Sequence, residues 1–554
     1  MRKIAFDVFI AVFVLFFAVT ASSQSESDIN AKVAQLDMNT ATLDDVISIF
    51  GEPEKYIWAG KTFTKDNLPD IYIVQYANDF GVVMNSGRVD ELRFESPAAG
   101  YVFCDRIRAG TSLLEAMRTM GRPTMTVAGQ PNEYKDGILY KDINGEKGYC
   151  YYGREDKNVR LFFWDYKVTA IYVTANNSEA DTSSSSKWRG TALNSIPRYN
   201  PSINNDQLQV DLRSYDLSKL DLRNSLDNLL YANFDDETIW PPPERMPENF
   251  DWKKYMELGR NPGLGIRSLH KKGITGKGVS IAIIDQPLLT THREYADRIR
   301  LYEEINAVGR SAMHGAAVAS IAVGKTVGVA PEADLYYIAS RTGDREVGGE
   351  EFTWNFSYYA QAINRLIEIN KSLPKDRKIR VISMSVGWRP GQEGYEEITK
   401  AVDRAKSAGM LVVSSCIDDV HGFKFHGLGR NPSANPDEFE SYEPGLWWSD
   451  SFYQDANWRD SDRLLIPMDS RTTANFTGSD SYVFYREGGW SWSIPYIAGV
   501  YALVAQVDPE ITPGRFWVRA LRTGRTIRLN HDGQIIPFGR IIDPVVLIEA
   551  SRRD

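Results

Sequence analysis

The run Val279-Ser280-Ile281-Ala282-Ile283-Ile284-Asp285 constrains the fold more than any other stretch of this chain. It is apolar, rich in β-branched residues and closed by one carboxylate. That is the pattern of a strand buried on both faces, with Asp285 at its carboxyl tip. Comparable runs recur at about 334–339, 380–385 and 410–415. Helical patterns lie between them. One covers 357–369, with Ala360, Ile363, Leu366 and Ile367 on one side, and another covers 396–408. Strands alternating with helices predict an α/β fold, a parallel sheet with helices on both faces. In such sheets chemistry collects at the carboxyl ends of strands and at helix starts.

Four motifs occupy those positions in one order. Thr275-Gly276-Lys277-Gly278 leads into the strand ending at Asp285, and His292 follows seven residues later. His314-Gly315-Ala316-Ala317-Val318-Ala319-Ser320-Ile321 comes next, then Val327-Gly328-Val329-Ala330-Pro331. The last is Gly489-Trp490-Ser491-Trp492-Ser493-Ile494-Pro495-Tyr496-Ile497-Ala498-Gly499. There Ser491 has a glycine two before it, a proline four after it and Ala-Gly at the end. A serine at the start of a buried helix suits nucleophilic chemistry. The glycine lets a substrate backbone approach, and the helix start supplies free N–H groups and a positive dipole end.

Together these motifs, over about residues 273–506, resemble those of the subtilisin-like serine proteases, the subtilases. The resemblance implies a subtilisin-like parallel sheet and a serine endopeptidase that acts on protein or peptide substrates through an acyl-enzyme. It implies Ser491 as nucleophile, His314 as the group that takes and returns its proton, and Asp285 as the carboxylate that holds the imidazole. His292 falls outside the triad, and the place of Ser493 relative to Pro495 does not fit the nucleophile. Ser385, Val386 and Gly387 resemble the family segment that pairs with a substrate backbone as an added strand. Trp388, where a glycine is common, either caps the first specificity pocket or is buried.

One position departs from the family. The strand 410–415 continues into Cys416-Ile417-Asp418-Asp419, where subtilases carry the asparagine of the oxyanion hole. Asp418 takes that place, with Asp419 as its neighbouring alternative. An ionised carboxylate there would repel the oxyanion, and losing one such donor costs about 100–1000-fold in rate. Three readings stay open. A neutral Asp418 donates, as in the acid-active sedolisins; another donor takes over; or the chain is a weak or inactive subtilase-fold pseudoprotease that binds peptides or partners. The full triad favours the enzyme, and Asp418 favours the pseudoprotease.

The following stretch, through about 466, reads as a long loop rich in Trp, Asp and Asn that shapes the cleft. Its His421 and His426 match no zinc spacing. No metal site and no cofactor is expected; structural calcium, common among subtilases, has no evident oxygen-ligand loop here.

A chain of 554 residues is too long for one ordinary domain. Residues 1–21 have the grammar of a signal peptide: Arg2 and Lys3, an apolar run from Val8 to Val19, then Val19-Thr20-Ala21. A secreted, periplasmic or cell-surface protein is expected. A net charge of −9 speaks against nucleic acid as partner. Within 35–175 a repeat appears. Thr42 and Thr111 each begin a short helix stopped by Gly-x-Pro, Gly51-Glu52-Pro53 and Gly121-Arg122-Pro123. Three strands follow each: 71–76, 81–84 and 88–94, then 148–152, 159–164 and 167–173. This predicts an α+β domain of two helix-plus-meander units, with a weak likeness to the beta-lactamase-inhibitor-protein type. It is expected to bind the protease domain or another protein. Residues 176–250 read as a linker. Its serine-rich part is expected to be cut during maturation, and the regularly spaced leucines of 211–222 are expected to dock onto the domain at 251–554. Of three cysteines, Cys416 reads as buried, and the sequence leaves the pairing of Cys104 with Cys150 open.

Overall fold

Five parallel strands build the central sheet, in the order Ile299–Glu304, Asp334–Ala339, Ser280–Asp285, Ile379–Met384 and Leu411–Ser414. In this computed structural model residues 29–552 are described, except 59–60, 105, 113–114, 117–118, 120–124, 127–133, 136–137, 140–148, 155–158, 165–166, 175–190, 201–207, 306, 308–310, 346–351, 417–422 and 456–462. The chain divides into two units. One is Met1–Ala180 with Asp344–Thr353, and the other, which holds the sheet, is Asp181–Gly343 with Trp354–Asp554.

Four of the five strands lie where the apolar runs predict them. The fifth, Ile299–Glu304, is an edge strand whose charges hide it from a hydrophobicity pattern. Arg300 pairs with Asp334 at 2.9 Å, and Arg365 holds Glu303 through two bonds of 2.8 Å.

Alternation along the strands sets the two faces. Ala282 and Ile284, with Ile382 and Met384, join Ile363, Leu366, Ile398 and Val402 of the helices Ser357–Ser372 and Tyr395–Ser407 in one buried cluster. Ile281, Ile283 and Asp285 therefore face the other side, where the helices Met313–Val323 and Trp490–Val507 pack on the same strand. Trp490–Val507 is buried all round from Trp492 to Ala505, the mark of a helix inside a core.

The described part of the 176–250 stretch is not a tether. Leu212, Leu217 and Leu222 dock as their spacing suggests, in a cluster with Phe234, Phe250 and Phe484. Strand Ala232–Asp235 pairs antiparallel with Tyr482–Tyr485, just before the Ser491 helix. Apolar burial thus outweighs the polar composition that reads as linker. The serine-rich segment lies outside the described residues.

The long loop expected through 466 is likewise corrected. Phe425–Arg430 is a fully buried strand, parallel to Leu464–Pro467 and antiparallel to Tyr442–Pro444. Its glycines hide the pattern. A Cβ on Gly427 would overlap Met468, so only glycine admits that side chain here.

In the N-terminal unit, nine antiparallel strands form one sheet. Both meanders are present, as Ile71–Tyr76, Phe80–Asn85 and Arg88–Phe94, and as Tyr149–Arg154, Val159–Trp164 and Lys167–Thr174. They join through their third strands, with Ile171 opposite Phe94. Thr42 starts the helix Leu43–Phe50 in a capping box with Asp45. In the second repeat the equivalent residue is Ser112, not Thr111: Ser112 bridges Lys167 as Thr42 bridges Arg88, and its Oγ accepts from Glu115 N at 3.2 Å. Most of that second helix lies outside the described residues. Glu91, fully buried, ties the meanders by ion pairs to Arg93 (2.7 Å) and Arg160. Among the described residues Cys104 has no disulfide partner. Among the described residues no helix is long and apolar enough to cross a membrane.

Candidate active site

Asp285 ends its strand with its side chain on the face covered by the Met313–Val323 and Trp490–Val507 helices, and it is 2% exposed. Its Oδ1 accepts from the Gln286 N–H at 2.8 Å and from His314 Nδ1 at 2.7 Å. His314 is the second residue of the helix Met313–Val323. Gly315 lets that helix start so close to Asp285, because a Cβ there would meet the Gln286 carbonyl and the Tyr337 hydroxyl at 2.6 Å. Burial disfavours a charged imidazole. The charge and hydrogen bond of Asp285 outweigh it, so the His314 pKa lies above the usual imidazole value. With Nδ1–H committed to Asp285, Nε2 of the neutral ring is the lone-pair nitrogen, the tautomer a general base needs.

Ser491 is the second residue of its helix, and no side chain caps that helix start. Gly489, at φ 61° and ψ 174°, turns the chain from strand into helix in a conformation that a Cβ would strain. Pro495 sits four residues on and has no N–H for the Ser491 carbonyl oxygen. That oxygen is taken by Ser385 Oγ, which donates to it at 2.9 Å, and Ser491 Oγ in turn donates to the Ser385 carbonyl at 3.4 Å. Among the described residues no hydrogen bond joins Ser491 Oγ to His314. The Trp492 ring bridges the two motifs, 5.4 Å from the His314 ring.

Ser385, Val386 and Gly387 follow the strand Ile379–Met384 directly and are partly exposed. The Val386 carbonyl accepts from Ser415 N at 3.0 Å, and a Cβ on Gly387 would crowd the Ser415 backbone at 3.3 Å. Asp418, Asp419 and His421 lie outside the described residues. Trp388 is buried, 5% exposed, in the core with Phe356. Its backbone N–H donates to Cys416 Sγ at 3.0 Å.

The other candidates separate from the Asp285–His314 pair. His292 is fully buried, with Nε2 donating to the Ser481 carbonyl at 2.9 Å and Nδ1 accepting from Glu294 N at 3.2 Å. Burial holds it below the usual imidazole value. Ser493 Oγ turns to the carbonyls of Ile466 and Pro467, both at 3.4 Å. His426 stacks on Trp448 at 4.5 Å, and burial, with Arg463 nearby, pushes its pKa down to about 3. Among the described residues no group of three His, Cys, Asp or Glu is placed to hold a metal ion.

One residue of the site has no sequence signal. Asp469, 2% exposed, accepts from Gly488 N through Oδ1 and from Leu446 N through Oδ2, both at 3.1 Å. It thereby fastens the turn before Ser491 to a loop far from it in sequence. A lone aspartate after an apolar strand announces none of this.

Residues 276–440 match the Subtilase family, a span that includes Asp285 and His314 and ends before Ser491. The chain is 28% identical over 257 residues to the major intracellular serine protease of Bacillus subtilis (strain 168), covering 43% of this chain and 72% of that protein. It is 27% identical over 254 residues to subtilisin E of the same organism, covering 44% of this chain and 60% of that protein. The solved structure of the prenylagaramide maturation protease PagA aligns at TM-score 0.36 and 15% identity, over 52% of this chain and 98% of that one. In its motifs, its parallel sheet and its matches to the Subtilase family model and to these two Bacillus subtilis proteins, this chain is similar to the subtilases.

Proposed function

We propose that the protein is an exported serine endopeptidase with Asp285, His314 and Ser491 as its triad. The observation that carries this is the 2.7 Å bond between His314 Nδ1 and Asp285 on the sheet face shared with the Ser491 helix. In the reaction, His314 Nε2 takes the Ser491 hydroxyl proton as Oγ attacks the scissile carbonyl carbon. Asp285 stabilises the imidazolium that forms. Uncapped N–H groups at the helix start favour the oxyanion. Collapse breaks the C–N bond, and His314 gives the proton to the leaving amine. Water then hydrolyses the acyl-enzyme by the same proton route. Ser385–Gly387 offer backbone to the substrate strand. The step from rest to attack needs a rotation of Ser491 Oγ from Ser385 towards His314. Catalytic hydrogen bonds that form only in the substrate complex are usual for such sites.

Peptide binding without turnover is the second reading, and Asp418 favours it. A fluorophosphonate probe separates the two across acidic to alkaline pH. Labelling that disappears in Ser491→Ala supports the protease. Absence of labelling in folded protein freed of its N-terminal unit refutes it. Export rests on the segment 1–21; amino-terminal sequencing of extracellular protein tests it, and a chain that still begins at Met1 argues against cleavage after Ala21. For the N-terminal repeat unit we propose a binding role, towards the protease unit or another protein. Equal probe labelling with and without that unit would remove the first option.

A further inference from the structure

Two tryptophans, one of them next to Ser491 in sequence, meet at the start of its helix, and neither belongs to the triad or to the Ser385–Gly387 segment. Trp490 immediately precedes Ser491 and is partly exposed, whereas the helix from Trp492 to Ala505 is buried. Trp447, also partly exposed, meets it edge-to-face with ring centroids 5.9 Å apart. Both indole Nε1 atoms are inaccessible and have no hydrogen-bond partner among the described residues. What the pair shows to solvent is therefore hydrocarbon. Behind Trp490 lies the buried His426 ring, at 5.7 Å. The pair is also held in place. Asp469 bonds Gly488 on the Trp490 side and Leu446 on the Trp447 side, so one buried carboxylate fixes the spacing of both loops.

From this placement we infer that Trp490 and Trp447 form a specificity wall that receives a bulky apolar side chain next to the scissile bond. The inference rests on the protease reading of Ser491 for the word scissile, and its occupant follows from chemistry. A rigid aromatic surface with no accessible donor rewards burial of Phe, Leu, Ile, Met or Trp and gives nothing to Asp, Lys or Gly. The geometry ties the wall to the reacting bond, because Trp490 and Ser491 are consecutive residues at one helix start.

The test uses the full chain carrying Ser491→Ala, so that binding is read without turnover, and a randomised peptide library whose bound members are sequenced. Peptides with a bulky apolar residue at one fixed register should be enriched about tenfold over their glycine counterparts. Trp447→Ala and Trp490→Ser should each abolish that enrichment, and Trp447→Phe, which keeps a ring in the wall, should retain it. An unchanged thermal transition shows that each variant is folded. Absence of apolar enrichment in the parent, or enrichment that survives both Trp447→Ala and Trp490→Ser, overturns the inference. The same peptides are then offered to the chain with Ser491 intact. Enriched peptides that remain uncut refute the protease reading and leave the wall standing, so the two failures are distinguishable.

Discussion

Replacing Ser385 with alanine removes the hydroxyl that donates to the Ser491 carbonyl oxygen at 2.9 Å. In an ordinary helix that oxygen would accept the N–H four residues on, but residue 495 is proline. Among the described residues no second donor bonds that oxygen, so the cost is that of a deprived acceptor rather than of an average hydrogen bond. For a part-buried carbonyl this is about 1–2 kcal/mol. Pro495→Ala changes the arithmetic. It supplies an N–H in helical register with the Ser491 oxygen and makes the Ser385 hydroxyl redundant. In that background the cost of Ser385→Ala should shrink to roughly 0.5 kcal/mol or less, a coupling of about 1 kcal/mol between two residues far apart in sequence. Urea unfolding of the four proteins of the cycle, all carrying Ser491→Ala to prevent self-cleavage, measures it. Strict additivity, with a coupling below about 0.3 kcal/mol, would refute the idea that the proline frees the carbonyl for Ser385.

Three other outcomes follow from the geometry. Asp285→Asn should lower kcat by about 10,000-fold while leaving the fold intact, because Nδ1 loses its acceptor and the tautomer is no longer fixed; a loss under tenfold in steady-state peptide hydrolysis would contradict the triad. The His314 pKa is raised, and only its neutral form accepts a proton, so kcat/KM should climb with pH through an apparent pKa above about 6.5. A titration midpoint below that value in a pH–rate profile counts against the Asp285 pairing. In the N-terminal unit, Glu91→Gln leaves Arg93 and Arg160 without their buried carboxylate and should cost about 3–5 kcal/mol. Hydrogen exchange should show the loss in the strands Arg88–Phe94 and Val159–Trp164 first.

The parts of the fold that depend on short-range pattern could be read directly. The strand ending at Asp285 and the buried helix behind Ser491 are continuous apolar runs, and the sequence before each meander repeats a Gly-x-Pro stop. Elements stabilised by distant partners could not. Strand Ile299–Glu304 carries charges whose partners sit on Asp334 and Arg365. Phe425–Arg430 has two glycines and a histidine where a strand pattern expects bulk, and its burial comes from Met468 and Trp448. Asp469 acquires its place only when Gly488 and Leu446 converge on it. Motif spacing points to Asp285 and His314, which lie 2.7 Å apart, yet it is silent on how Pro495 leaves the Ser491 carbonyl to Ser385.

The pairing of Ala232–Asp235 with Tyr482–Tyr485 bears on when this protein becomes complete as it is made. Arg486 N donates to the Asn233 side chain across 253 residues, and the Ser491 helix starts just beyond that seam. A ribosome adding about 5–20 residues per second delivers His314 roughly 10–35 s before Ser491. During that interval the nascent chain holds Asp285 and His314 without Ser491, and strand Ala232–Asp235 waits for its partner. Contacts of such sequence separation also form slowly once available. The order of the motifs along the chain therefore acts as a timer: Ser491 is the last of the three proposed triad residues to be made.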